Sequence, residues 1–143
     1  MATQIIKKAM GESIKLEVYR IDYTELDAAS TTESISLVTL PAGAIGLGAW
    51  VDNVVAATDA GSISALAIEV GDAGDADALV ASYDLFGSTG RVQNVAAGST
   101  EVWGSMAVVA KFTATGANLG DGAGTTDLDS GAFDVYLMYM DIA

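Results

Sequence analysis

The chain has 143 residues and carries six Lys and Arg against nineteen Asp and Glu, a net charge of -13 with no His and no Cys. Its length fits one domain, large enough to bury roughly 70% of its unfolded surface without covalent staples. The acidic balance makes nucleic acid and anionic membrane unexpected partners, and the missing residue types exclude disulfides, thiol chemistry, His- or Cys-based zinc sites and every His-based relay.

Charge is unevenly placed. Lys7, Lys8, Lys15 and Arg20 meet only Glu12 and Glu17 in the first twenty residues, four against two, so this head is +2 and residues 21–143 carry -15. Residues 1–12 are expected to form an N-terminal arm ahead of a domain at 13–143, with Lys7, Lys8 and Lys15 as candidate docking residues toward an acidic surface. The head has neither an apolar h-region nor a small-residue cleavage site, so no secretory signal is expected.

The first element in chain order is Ile14, Leu16 and Val18 alternating with Lys15, Glu17 and Tyr19, the pattern of a half-buried edge strand whose apolar side turns inward. A linker, residues 24–33, leads to a second run over 34–40 with Ile35, Leu37 and Thr39 on one face, stopped by Pro41-Ala42-Gly43. The third run, 45–57, places Ile45, Leu47, Ala49 and Val51 inward and Trp50 and Asp52 outward, and Val54-Val55 breaks the alternation as a bulge does. After Asp59-Ala60-Gly61-Ser62, the residues Leu66, Ile68 and Val70 form an inward set, followed by short runs at 78–83 and 91–95. In the seventh run Met106, Val108, Ala110, Phe112 and Ala114 alternate with Ala107, Val109, Lys111, Thr113 and Thr115. The last, 133–142, is apolar on both faces: Phe133, Val135, Leu137 and Tyr139 oppose Tyr136, Met138, Met140 and Ile142.

No long apolar stripe recurs at helical spacing, and the uncharged stretch 34–51 is too interrupted by Ser, Thr, Pro and Gly for a spanning helix. About eight short strands separated by regular turn signals predict an all-β, single-domain sandwich or barrel, with a jelly roll fitting the count. A strand apolar on both faces must be covered on both. The last run is therefore expected beneath the N-terminal segment or in a subunit contact, with Tyr136, Met138 and Met140 as candidate subunit-interface residues in a homo-oligomer.

Few motifs carry chemistry. Asp72, Asp75 and Asp77 put three carboxylates in six residues, a set that could offer oxygen ligands to calcium. The acidic order and closing Glu of an EF-hand are missing, and Asx turns account for the same residues; no metal and no cofactor is assigned. A second acidic loop, 118–131, holds Asp121, Asp127 and Asp129 and is expected to be a flexible tip and a candidate contact loop. Gly43, Gly46 and Gly48 precede no Gly-Lys-Ser/Thr, and no Gly-x-Ser-x-Gly elbow occurs. Acid pairs suited to glycoside hydrolysis arise by chance among nineteen carboxylates, so no catalytic residue is assigned and no enzyme is expected. Trp50, Trp103, Tyr83 and Tyr136 could line a sugar-binding face, although aromatics on strands ordinarily fill cores or interfaces.

The run Leu40-Pro41-Ala42-Gly43, the run Ile68-Glu69-Val70-Gly71-Asp72-Ala73-Gly74-Asp75-Ala76-Asp77 leading into Leu79-Val80-Ala81, and the later Phe112-Thr113-Ala114-Thr115-Gly116 and Gly131-Ala132-Phe133-Asp134-Val135-Tyr136-Leu137 resemble small jelly-roll decoration, or cement, proteins of tailed-bacteriophage heads. The likeness runs from about Ser34 to the C-terminus. It implies trimers on the outside of an icosahedral shell, gripping the major capsid protein and holding neighbouring capsomers against internal DNA pressure. Lys7, Lys8 and Lys15 then become candidate capsid-docking residues. The alternative is a carbohydrate-binding module of a phage tail fibre or spike, acting through Trp50 or Trp103.

Overall fold

A computed structural model describes residues 14–93 and 103–141. It contains eight strands: β1 (Ile14–Asp22), β2 (Thr32–Thr39), β3 (Ala44–Thr58), β4 (Ala65–Gly71), β5 (Val80–Asp84), β6 (Gly90–Gln93), β7 (Ala107–Thr115) and β8 (Ser130–Asp141). They form two four-stranded sheets, a front sheet in the order β1-β8-β3-β6 and a back sheet in the order β2-β7-β4-β5. All strand pairings are antiparallel, and β1 pairs with β8, β2 with β7, β3 with β6 and β4 with β5. The chain thus behaves as one long ribbon doubled on itself and then rolled, so that β3 also meets β8 and β4 also meets β7. That is the jelly-roll form of a β-sandwich.

Period-2 alternation builds the core between the sheets. Leu66, Ile68 and Val70 of β4 and Val108, Ala110, Phe112 and Ala114 of β7 are buried, as their spacing predicts. Phe133, Val135, Leu137 and Tyr139 of β8 supply the opposing layer, and Phe112 meets Phe133 across the sandwich at 5.7 Å between ring centres. Each fully buried Leu, Ile or Phe side chain contributes roughly 1.5–3 kcal/mol. Trp103, just ahead of β7, is also buried. Its indole lies against Gly46 of β3, where any Cβ would strike the ring.

Several expected faces differ. On β1 the inward residues are Tyr19 and Ile21, and Ile14, Leu16 and Val18 are exposed, because β8 presents its core-facing set on the side away from them. On β3, Ala49 and Val51 point inward as expected, but a register shift between Gly46 and Gly48 leaves Ile45 and Leu47 exposed. The break at Val54-Val55 is a real irregularity, with shifts on both sides of Val55. A further shift between Ser36 and Val38 turns Val38 toward the core and leaves Thr39 exposed. The runs expected at 78–83 and 91–95 are strands at Val80–Asp84 and Gly90–Gln93, and Val95 and Ile142 lie outside the described residues. β8 is an inner strand of the front sheet, between β1 and β3.

The linker and the second acidic loop brace each other. Asp22 caps a 3-10 turn at Tyr23–Glu25 through a reciprocal capping box, and Leu26 behind it is buried. Leu119, Gly120 and Gly122 donate backbone hydrogen bonds to Ser30, Ala28 and Asp27 at 2.7–2.9 Å, and Leu119 and Leu128 are buried. The segment expected to be a flexible tip is therefore pinned at both ends.

Candidate functional site

The strand register stacks the outward side chains of the front sheet in rows. Ile14 of β1 lies beside Met140 of β8 and Ile45 of β3; Leu16 lies beside Met138 and Gly48; Val18 lies beside Tyr136 and Trp50. Ile14, Leu16 and Val18 are 50%, 60% and 48% exposed, and Trp50, Tyr136, Met138 and Met140 are half-buried. A Cβ on Gly48 would come within 2.7 Å of the Trp50 ring, so the glycine lets the indole lie down along its own strand. Leu16, Trp50, Arg91, Tyr136 and Met138 enclose a shallow depression of about 260 Å³. The face is continuous and apolar across three strands.

The next row is entirely charged: Arg20, Asp134, Asp52 and Arg91, from β1 through β8 and β3 to β6. Arg20 grips Asp134 with two hydrogen bonds, Nε to Oδ1 at 2.7 Å and a terminal nitrogen to Oδ2 at 2.8 Å. Arg91 donates to Asp52 Oδ2 at 2.7 Å and stands 5.8 Å from the Tyr136 ring centre. Both guanidinium pKa values are raised above the usual arginine range by their carboxylate partners. The two carboxylates would repel as direct neighbours; each is neutralised by its own arginine, and the row is neutral as a whole.

The outward face of the back sheet is different. Its rows read Thr32, Thr113, Ala67 and Asp84, then Ser34, Lys111 and Glu69, the small and polar set that an antiparallel sheet shows to water. All seven large hydrophobic side chains that are exposed among the described residues, Ile14, Leu16, Val18, Ile45, Leu47, Val54 and Val55, belong to β1 or β3 of the front sheet.

The structure brings Tyr136, Met138 and Met140 together on this front face. Lys15 is exposed on β1 opposite Tyr139, on the other side of the strand from Leu16, and Lys7 and Lys8 lie outside the described residues. Sequence reasoning did not assign Leu16, Val18 or Arg91 to a contact, and it offered Trp50 only for the sugar-binding alternative. The signal was present in the β1 alternation and in Gly48 preceding Trp50, but it reads as a core face until the partner strand is known.

The remaining candidates do not converge. Asp72 Oδ1 accepts from the N–H groups of Gly74 and Asp75 at 2.8 and 2.7 Å, an Asx turn; Asp77 beside Asp75 holds the Asp75 carboxyl above its ordinary value. Asp121 Oδ1 accepts from Ala123 and Thr125 N–H at 2.7 and 3.0 Å, which lowers its pKa. Among the described residues no three acidic side chains are grouped so as to hold a metal ion. Of the four aromatics, Trp103 is in the core and Tyr83 is on β5 of the back sheet, leaving only Trp50 and Tyr136 as neighbours.

No protein-family model matches the chain, and no curated protein matches its sequence. Among solved structures it is similar to a chain of the capsid asymmetric unit of cyanophage Pam1, with a TM-score of 0.58 and 16% identity over 89% of this chain and 84% of that one. A chain in the capsid of Ralstonia phage GP4 aligns over the same shares at 19% identity with a TM-score of 0.48. At 16% identity the Pam1 likeness is one of fold.

Proposed function

We propose that this chain is a virion structural protein of a tailed phage, a decoration protein that binds the outside of the capsid and cements neighbouring capsomers. The observation that carries this reading is the front face: an apolar surface, bordered by a row of paired charges, on an acidic jelly roll, suited to adhesion by area. Many modest contacts, multiplied by linking several docked subunits, resist outward force without any single strong site. The fold shared with a Pam1 capsid chain supports the virion setting. Catalysis has no part in the proposal. Tyr136, Met138 and Met140 belong to a contact between subunits, for which the sequence resemblance implies three copies. Lys7, Lys8 and Lys15 steer the acidic body onto the shell of the major capsid protein.

The test uses phage heads assembled without this protein. Adding back the full chain is expected to saturate the shell and raise the temperature at which the heads release DNA, and a version lacking residues 1–12 is expected to bind more weakly. Heads that neither bind the full chain nor gain heat resistance would overturn the decoration role; equal binding by the shortened chain would overturn docking by the arm. Carbohydrate binding by Trp50 and Tyr136 is the second reading, favoured by their adjacency beside Arg91, and heat released on titration with host glycans would favour it instead.

A further inference from the structure

We infer that the free edge of β1 receives an added strand: an extended segment of the shell protein, with apolar residues at alternate positions and a carboxylate opposite Lys15, pairs by its backbone with Ile14, Leu16, Val18 and Arg20. This rests on the decoration reading and names one way in which the shell is held. The outer face of the front sheet stays available for contact by area. Three observations carry the inference.

The first is the direction of the backbone. The Asp22 N–H donates to Glu25 Oε2 at 2.8 Å and so is not spent on β8, which makes Asp22 and Ala132 a non-hydrogen-bonded pair. Hydrogen-bonded and non-hydrogen-bonded pairs alternate along an antiparallel ladder, and the register of β1 on β8 runs from Ile14 to Asp22 without a shift. The N–H and C=O groups of Ile14, Leu16, Val18 and Arg20 therefore point away from β8, while those of Lys15, Glu17, Tyr19 and Ile21 bond to it. β1 ends its sheet, and among the described residues no strand lies on its far side.

The second is the lack of protection. Sheet edges are ordinarily kept short, bulged, or interrupted by proline or unpaired charge. Among the described residues the edge strands β5 and β6 span five and four residues, and the edge strand β2 is broken by the shift between Ser36 and Val38. β1 spans nine residues with no bulge and no proline. Its inward carboxylate, Glu17, is held by the Tyr19 and Tyr139 hydroxyls, and Arg20 is held by Asp134.

The third is the chemistry that flanks the edge. An added strand sets its side chains in the same two rows as β1. On the outward row they lie beside Ile14, Leu16 and Val18, all exposed, which calls for apolar residues. On the other row Lys15 is exposed and calls for a carboxylate. A second copy of this chain is the poorer occupant, because two bodies of -13 repel. In strand addition the main-chain bonds supply affinity and the alternate side chains specificity, a set of modest contacts of the kind that the decoration reading requires.

Full-length chain is bound to phage heads assembled without it, and amide hydrogen exchange is read residue by residue on the free and the bound chain. In the free chain the amides of Leu16, Val18 and Arg20 are expected to exchange fast and those of Glu17 and Tyr19 slowly. On heads the fast set is expected to slow at least about tenfold. Leu16→Pro removes one outward N–H and leaves the bonds to β8 in place, whereas Leu16→Ala shortens the same side chain and keeps the N–H. The proline variant is expected to bind heads at least about tenfold more weakly than the alanine variant; if it does not fold, the exchange measurement decides alone. Binding without slowed exchange, or equal binding by the two folded variants, would overturn the added strand and leave the decoration role standing. Slow exchange of Leu16, Val18 and Arg20 already in the free chain would overturn it as well, by showing that the chain itself or a second copy fills the edge. Heads that do not bind the chain at all would overturn both.

Discussion

Glu17 shows how an edge strand accommodates an inward-pointing carboxylate. Its Oε2 accepts from the Tyr19 hydroxyl at 2.7 Å and its Oε1 from the Tyr139 hydroxyl at 3.3 Å, so an inward-pointing carboxylate on an edge strand has partners. Burial, reinforced by Glu17, raises the pKa of both phenols. Raised folded-state values mean that folding holds these protons: the contribution is complete below the ordinary tyrosine value near ~10 and is lost as pH climbs from there toward the folded-state values. Glu17→Gln is therefore expected to let Tyr19 and Tyr139 ionise at lower pH, followed by ultraviolet titration, and to flatten the loss of thermal stability above about pH 10. An unchanged titration would show that burial alone sets both phenols. Reading outward from sequence, the alternation of β1 was legible but this polar triad was not, since its members are brought together only by the pairing of β1 with β8.

At the scale of elements, alternation tells which residues share a face and leaves open which face turns inward. For β4 and β7 the two coincide, because one face is apolar and the other polar. β8 was legible as doubly apolar, and Tyr136, Met138 and Met140 do share its outward side. β1 and the start of β3 were read the wrong way round: when the outer surface is itself apolar, hydrophobic pattern cannot separate it from the core, and the register shift at Gly46–Gly48 has no marker beyond its glycines. The observed assignment has a measurable consequence in dilute protein. Leu16→Ser should change unfolding free energy by no more than about 0.5 kcal/mol, whereas Leu137→Ala, which removes a fully buried side chain, should cost roughly 2–5 kcal/mol. Comparable losses in denaturant melts would return Leu16 to the core.

At the scale of the molecule, the sandwich divides labour between its two sheets. The back sheet shows water a small, polar surface; the front sheet shows an apolar field closed at one end by paired charges. Fold class was legible because strand count and turn spacing are local properties. The apolar front face was only half legible, since it exists where β1, β8 and β3 lie side by side, an order that no single segment records. Electron microscopy of tailed-phage heads assembled with the full chain tests the proposed decoration role. Jelly-roll density is expected on the outer surface of the shell, with Leu16, Trp50, Tyr136 and Met138 covered by protein; heads without such density, or with that face turned to open solvent, would overturn the role.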